Sequence, residues 1–183
     1  MLSFSLTAGY ALRLLSESDL PELHALVDRN REYLAPWMGW AAEQTSQDTL
    51  EFIRSTQRQL DRNDGFQTAV IDPDEAIVGV IGFHALSWRD RSAEIGYWLS
   101  ADAQGRGIMT RATARLVDHA VLEWKLNRIE IRAAPDNARS RAVPERLGFV
   151  LEGTLREAER VGDRYVDSVV YSMLARDWTP SGT

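Results

Sequence analysis

Two glycines near the middle of the chain, Gly105 and Gly107, stand where a strand pattern gives way to a helix pattern. The helix is indicated by small and apolar residues four positions apart, Ile108, Ala112, Leu116 and Ala120. The first amides of a helix have no partner inside it and carry partial positive charge, so this segment can bind an anion. Glycine lets the backbone approach that anion without a Cβ in the way. The pattern predicts a phosphate site, although two glycines alone also fit an ordinary turn.

The elements that position this loop follow from hydrophobic periodicity and turn signals. Strands are predicted over residues 11–15, 66–72, 76–86, 93–99, 128–133, 149–161 and 164–174. Helices are predicted after Ser18, after Ser46, from Ile108 to Trp124 and over residues 137–147. The order is β-α-α-β-β-β-α-β-α-β-β. No repeat or linker interrupts it, so residues 1–183 are predicted to form one α/β domain.

Three segments carry motifs that occur together in a known family. Residues 104–109 read Gln-Gly-Arg-Gly-Ile-Met, residues 94–99 read Glu-Ile-Gly-Tyr-Trp-Leu, and residues 137–149 read Asn-Ala-Arg-Ser-Arg-Ala-Val-Pro-Glu-Arg-Leu-Gly-Phe. The first resembles the pyrophosphate loop Gln/Arg-x-x-Gly-x-Gly/Ala of the GNAT acetyltransferases, with Met109 where glycine or alanine is usual. All three are similar to the Rim-type enzymes, which acetylate the N-terminal serine or alanine of ribosomal proteins. The resemblance covers residues 12–174.

This resemblance implies a mixed, mostly antiparallel sheet flanked by helices, and an acetyl-coenzyme A site. The main-chain groups of Trp98 and Leu99 would pair with the pantetheine arm where two central strands separate. The amides of residues 104–109 would hold the pyrophosphate, and Asn137 would hydrogen-bond the pantetheine. The implied cofactor residues are Trp98, Leu99, Gln104, Gly105, Arg106, Gly107, Ile108, Met109, Asn137 and Ser140. Without the family, Trp98 and Leu99 are ordinary strand residues and Asn137 is a helix cap.

The same resemblance implies that the acetyl group passes directly to a primary amine in a ternary complex. The amine must lose a proton, and the departing thiolate must gain one. Glu159 resembles the glutamate that serves as base in Rim-type enzymes, and Ser140 resembles the serine near the coenzyme sulfur. Glu157 lies two residues from Glu159, on the same face of a regular strand, and is the rival base and an acceptor contact. By spacing alone, both glutamates also fit exposed carboxylates paired with neighbouring arginines.

The acceptor amine is the part that the sequence leaves open. Trp37 and Trp40 are candidates for the wall of a peptide slot, although aromatic clusters are more often packing. The first choice is the N-terminal α-amine of a ribosomal protein. A small amine (polyamine, amino acid or antibiotic) is the alternative substrate, and a non-catalytic acyl-coenzyme A sensor is the alternative from another class. The presence of Asn137, Ser140 and Glu159 together favours an enzyme.

Composition sets the remaining expectations. A formal net charge of −6 argues against a general nucleic-acid binder, and no apolar run approaches the ~20 residues of a membrane span. The absence of cysteine excludes disulfides and a cysteine nucleophile. The three histidines are scattered, so no metal site is expected. We expect a cytoplasmic protein and, from the resemblance and the six tryptophans as interface anchors, a homodimer.

Overall fold

The computed structural model describes residues 2–180, and its elements alternate in the order that the periodicity predicts, with a few additions. The strands are β1 (Ser3–Ser5), β2 (Ala11–Leu14), β3 (Gln67–Ile71), β4 (Ile77–Ser87), β5 (Ser92–Leu99), β6 (Arg128–Ala133), β7 (Val150–Val161) and β8 (Arg164–Leu174). The helices are α1 (Leu20–Arg29), α2 (Arg31–Leu34), α3 (Ser46–Asp61), α4 (Ile108–Asp118) and α5 (Ala138–Arg146). Over the described residues the strands form one sheet, in the order β1-β2-β3-β4-β5-β6-β8-β7.

One pair of neighbouring strands is parallel, and it separates after three residues. β5 and β6 are joined only from Ser92–Glu94 to Arg128–Glu130, whereas the other neighbouring strands in the sheet are antiparallel. Beyond Glu94, β5 keeps β4 as its partner and β6 keeps β8. The sheet therefore opens into a V, and one edge of residues 95–99 is left without a strand beside it.

Side chains alternate between two packed faces of the sheet, as strand geometry requires. Ile81, Phe83 and Ile95 belong to a cluster that includes Leu116 of α4. Val80, between Ile81 and Gly79, points the other way and packs with α1 and α3. Helices therefore cover both faces of a mixed, mostly antiparallel sheet, as the resemblance implied.

Local capping explains where two of the helices begin. The Thr45 hydroxyl accepts from the Asp48 amide at 3.2 Å while the Asp48 carboxylate accepts from the Thr45 amide at 2.9 Å, which satisfies two free donors ahead of α3. The Asn137 side chain accepts from the Ser140 amide at 3.1 Å and begins α5.

The structure corrects the predicted elements in three places. β1 and α2 are additional, and both are too short to leave a periodic signal. The helix predicted to run to Trp124 is α-helical only to Asp118 and continues as a π-helical turn over His119–Glu123. The rings of Trp124 and Phe83 lie 4.8 Å apart just beyond that turn, so tertiary packing accompanies the change in pitch.

The expectation that Glu157 and Glu159 share a face by regular alternation is wrong. The register of β7 against β8 shifts between Leu155 and Glu159, so the strand is irregular at this point. Glu157 has a φ of 51° and its amide donates to the Asp167 carboxylate at 2.9 Å. This bulge breaks the two-residue period on which the expectation rested.

Candidate active site

Two cavities meet at the open end of β5 and share the residues Met38, Tyr97 and Trp98. The first, which we call the loop groove, has a volume of about 720 Å³ and lies between the loop 104–109 and the start of α5. The second, the sheet cavity, has a volume of about 590 Å³ and lies between the sheet and the helices α1 and α3. Two ligands bound in these spaces would touch at Tyr97 and Trp98.

Left-handed backbone at two glycines shapes the loop. Gly105 and Gly107 have φ values of 74° and 68°, a region that glycine enters without strain. Gly107 is the residue before α4, so the unpaired amides of the first helical turn follow it directly. The Gln104 side chain fastens the loop by donating to the Tyr33 hydroxyl and accepting from Arg139.

The loop groove contains most of the residues that the resemblance assigned to a cofactor. They are Trp98, Leu99, Gln104, Gly105, Gly107, Ile108, Met109, Asn137 and Ser140. Arg106 is absent from the lining, because its guanidinium turns back to the Asp102 carbonyl at 3.3 Å and the Tyr10 hydroxyl at 3.5 Å. Its side chain therefore points away from the groove, and the role of its backbone amide at the pyrophosphate stays a prediction.

The sequence reasoning missed three arginines of the loop groove, Arg111, Arg139 and Arg146. Arg111 lies one helical turn beyond Gly107, and its Nη1 donates to the Arg106 carbonyl at 3.0 Å. Its Nε is buried and has no hydrogen-bond partner among residues 2–180. The four-residue spacing from Gly107 was the available signal, since residues four apart share a helix face.

Charge is divided between the two cavities. The loop groove is lined by three arginines and by no aspartate or glutamate. The sheet cavity is lined by Asp48 and Glu51 and by no lysine or arginine. The first space therefore suits an anion and the second suits a cation or a neutral molecule.

A hydrogen bond links the two arms of the site. The Tyr97 hydroxyl donates to the Ser140 carbonyl at 2.8 Å, which joins β5 to α5 across the open sheet. Burial raises the pKa of Tyr97, so the phenol stays protonated at neutral pH. The hydroxyl of Ser140 makes no hydrogen bond with any described residue, and Ser140 lies on the groove wall.

The structure does not bring Glu159 or Glu157 into either cavity. Both side chains are exposed on β7, and Glu159 lies opposite Val166. Glu159 is nevertheless close enough to influence Glu94, two residues before Gly96 on β5. Burial raises the pKa of Glu94; Arg132 opposes this effect, while repulsion from Glu130 and Glu159 adds to it.

The two tryptophans expected in one wall are divided between the cavities. Trp37 lines the loop groove, and Trp40 lines the sheet cavity with its ring 6.1 Å from that of Trp98. Gln67 and His84 also line the sheet cavity, although no motif marks either residue. Their neighbours Gly82 and Gly96 were the only hint, because a strand glycine often marks a close approach.

Residues 2–180 form neither a metal centre nor a membrane-spanning helix. No group of three or more histidine, aspartate or glutamate side chains is arranged to hold a metal ion. None of the described helices combines the length and apolar character needed to traverse a bilayer. The absence of a metal from the reaction stays a prediction.

An anion groove at a helix N-terminus, beside a cavity that suits an amine, is the arrangement needed to hold a phosphorylated acyl donor next to its acceptor. Residues 10–150 match the model of the acetyltransferase (GNAT) domain, and the chain belongs to this family of acetyl-coenzyme A-dependent acetyltransferases. The GNAT fold and the Rim-type resemblance are both confirmed.

The relatives include ribosomal-protein acetyltransferases. The chain is 38% identical to the protein YdaF of Bacillus subtilis over 91% of its length and 92% of that protein. It is 31% identical to the ribosomal-protein-serine acetyltransferase of Escherichia coli, over 89% and 91% of the two chains. Among solved structures, RimL, the ribosomal L7/L12 α-N-protein acetyltransferase in complex with coenzyme A, superposes with a TM-score of 0.89 at 28% identity. That match covers 94% of this chain and 98% of RimL.

We predict that Gly107→Val weakens acetyl-coenzyme A binding about tenfold or more, measured by calorimetry, because a β-branched side chain would stand beside the first amides of α4. The matched control is Gly148→Val, which has the same left-handed strain (φ 76°) and lies outside both cavities. Thermal melting checks that both variants fold. Equal loss of affinity in the two variants, or no loss in Gly107→Val, would contradict a phosphate-binding role for the loop.

Proposed function

We propose that this acetyltransferase modifies the N-terminal α-amine of a ribosomal protein, by direct attack of the amine on acetyl-coenzyme A within a ternary complex. The observation that carries the proposal is the division of charge between two cavities that meet at Tyr97 and Trp98. The relatives described above support the choice of a ribosomal-protein N-terminus. This acceptor also implies a cytoplasmic enzyme.

In this proposal the loop groove holds the cofactor. The amides of residues 104–109 face the pyrophosphate, and Arg111 supplies a charge beside them. The free edge of Trp98 and Leu99 pairs with the amides of the pantetheine arm, which would replace the missing strand of the open V. Asn137 contributes through its position at the start of α5, where its side chain already caps the helix.

An α-amine suits a site without a strongly tuned base. With a pKa of about 8, it costs only about 1.4 kcal/mol to deprotonate at pH 7, whereas a lysine amine with a pKa of about 10.4 costs about 4.6 kcal/mol. Glu159, which lies outside both cavities but near enough to Glu94 for the two charges to repel, then accepts that proton through water. The neutral nitrogen attacks the thioester carbonyl carbon, and the carbon–sulfur bond breaks. The Ser140 hydroxyl donates a proton to the thiolate, and it is reprotonated through water by the proton that the attacking nitrogen loses as the amide forms.

The test is an acetylation assay of the intact chain with acetyl-coenzyme A and a panel of acceptors. Turnover is measured as the release of coenzyme A. We expect peptides with ribosomal-protein N-termini to react and the same peptides with blocked α-amines to be inert. Acetylation of spermidine or an aminoglycoside alone would make the protein a small-amine enzyme. Acetyl-coenzyme A binding with no acceptor modified would favour the sensor.

The role of Glu159 is tested by Glu159→Gln. We expect turnover to fall by roughly 10²–10⁴-fold, near the lower end because an α-amine is partly neutral at pH 7, with cofactor affinity unchanged. The defect should shrink as pH rises past the pKa of the acceptor, since solvent then removes the proton beforehand. The control is Glu157→Gln, whose glutamate sits on the bulge and should be nearly silent. A Glu159→Gln defect that is flat from about pH 6 to pH 9 would argue against the base.

The proposal includes a homodimer, and the exposed sheet edge at β7 is the surface that we propose as its interface. All residues of this strand except Val161 are exposed, and its outer edge carries backbone groups without a neighbouring strand. Large exposed apolar side chains gather there, namely Val150, Leu151, Leu155 and, on β8, Tyr165.

Sedimentation velocity at micromolar concentration should therefore show a dimer, and Leu151→Arg should shift it toward a monomer by placing a charge in the interface. Leu60→Arg, at an apolar residue exposed on α3, is the control and should leave the dimer intact. A monomeric parent protein would overturn the dimer without affecting the acetylation proposal.

A further inference from the structure

The wall of the sheet cavity contains two polar side chains that occupy space left by glycines. A Cβ on Gly96 would lie 2.7 Å from Nε2 of His84, and a Cβ on Gly82 would lie 2.1 Å from Oε1 of Gln67. Both approaches are closer than real Cβ contacts, so neither side chain could keep its position beside any residue but glycine. The sequence therefore places these two polar groups in the cavity at the expense of two strand side chains.

Both side chains keep acceptor atoms that are open to a ligand. The Gln67 amide nitrogen donates to the Phe83 carbonyl at 2.8 Å, which orients the side chain. Its Oε1, and both ring nitrogens of His84, have no hydrogen-bond partner among the described residues. His84 is exposed overall, although desolvation of its ring against the cavity wall lowers its pKa from the ordinary value. In the neutral ring, one of the two nitrogens can accept a hydrogen bond.

The carboxylates of the same cavity differ from these two groups in charge. Asp48 accepts from the Thr45 amide at 2.9 Å and from the Thr45 hydroxyl at 2.6 Å, and Glu51 forms an ion pair with Arg58. Both keep a negative charge, which favours the ammonium form of the acceptor. The open acceptors on Gln67 and His84 are neutral. A hydroxyl can pair with one of them through a single hydrogen bond, whereas a methyl group would leave it unpaired.

The distance along β5 suits the first side chain of a peptide. Gly96, which lies under the His84 ring, is two residues from Trp98, roughly 7 Å along a strand. An N-terminal residue whose α-amine lies at the junction of the two cavities can therefore bring its side-chain hydroxyl within one hydrogen bond of His84 and Gln67.

We propose that Gln67 and His84 select the first residue of the acceptor, favouring an N-terminal serine or threonine over alanine. This inference rests on the proposed function, since it assumes that the acceptor amine enters through the sheet cavity. The two residues act on specificity and take no part in bond making.

The first experiment compares kcat/KM for two peptides that differ only in an N-terminal serine or alanine. We expect the parent enzyme to prefer serine about tenfold, the effect of one net hydrogen bond. His84→Leu should bring the ratio close to one, and Gly96→Ala should do the same by displacing the ring. His84→Gln, which keeps a neutral acceptor, should restore much of the preference. His24→Leu is the control, because His24 hydrogen-bonds Thr49 outside the cavity.

A parent ratio near one, or a ratio that survives in His84→Leu, would overturn the selection. The second experiment does not require turnover: serinamide and alaninamide are titrated into the enzyme loaded with coenzyme A, and the ring signals of the three histidines are followed by NMR. His84→Gln assigns the relevant signal. Tighter binding of serinamide with a shift of the His84 signal supports the inference even if no peptide is acetylated, which would sink the proposed function alone. Equal affinities for serinamide and alaninamide refute it.

Discussion

The parting of β5 and β6 is the constraint on which the rest of the site depends. Three parallel residue pairs hold the strands together, and beyond Glu94 each strand is held only by its antiparallel neighbour. A gap in a sheet leaves backbone donors and acceptors without partners, which is costly unless water or a ligand satisfies them. The hydrogen bond from Tyr97 to the Ser140 carbonyl bridges this gap without filling it. The opening is therefore maintained by the fold and stays accessible from both cavities.

The division of charge follows from which elements border the opening. One side is bordered by the N-termini of α4 and α5, where unpaired amides and arginines come together. The other side is bordered by α3, whose first turns carry Asp48 and Glu51. Acidic residues are common near the N-terminus of a helix. On the first side, helix polarity and side-chain charge act in the same direction. On the second side, the carboxylates oppose the partial positive charge at the start of α3 and give the cavity its negative lining. In the proposed function, this difference would direct an anionic donor and a cationic amine to opposite sides of the opening.

Local signals in the sequence were enough to place the glycine loop and the start of α5 beside the loop groove, although they did not indicate Arg111, Arg139 or Arg146. Gly107 and Asn137 work through their own backbone and the next few residues, so their roles can be inferred from short motifs. The other side depends on pairing between distant strands. On β4 and β5, His84 pairs with Glu94 and lies diagonally across from Gly96, whose missing side chain leaves room for the His84 ring. Periodicity cannot show that pairing. The bulge at Glu157 and the π-helical turn after Asp118 were missed for the same reason, since each involves residues far away in the chain.

The two cavities draw on different stretches of the chain. The sheet cavity is lined by residues between Leu23 and Trp98, whereas the loop groove takes its lining from residues 33–38 and from Tyr97 to Arg146. Met38, Tyr97 and Trp98 are common to both. Under the proposed function, mutations between α3 and β4 would therefore reshape the choice of acceptor while the donor side is inherited unchanged. Such a layout lets a lineage diversify its substrates by gradual drift, with the chemical step conserved throughout.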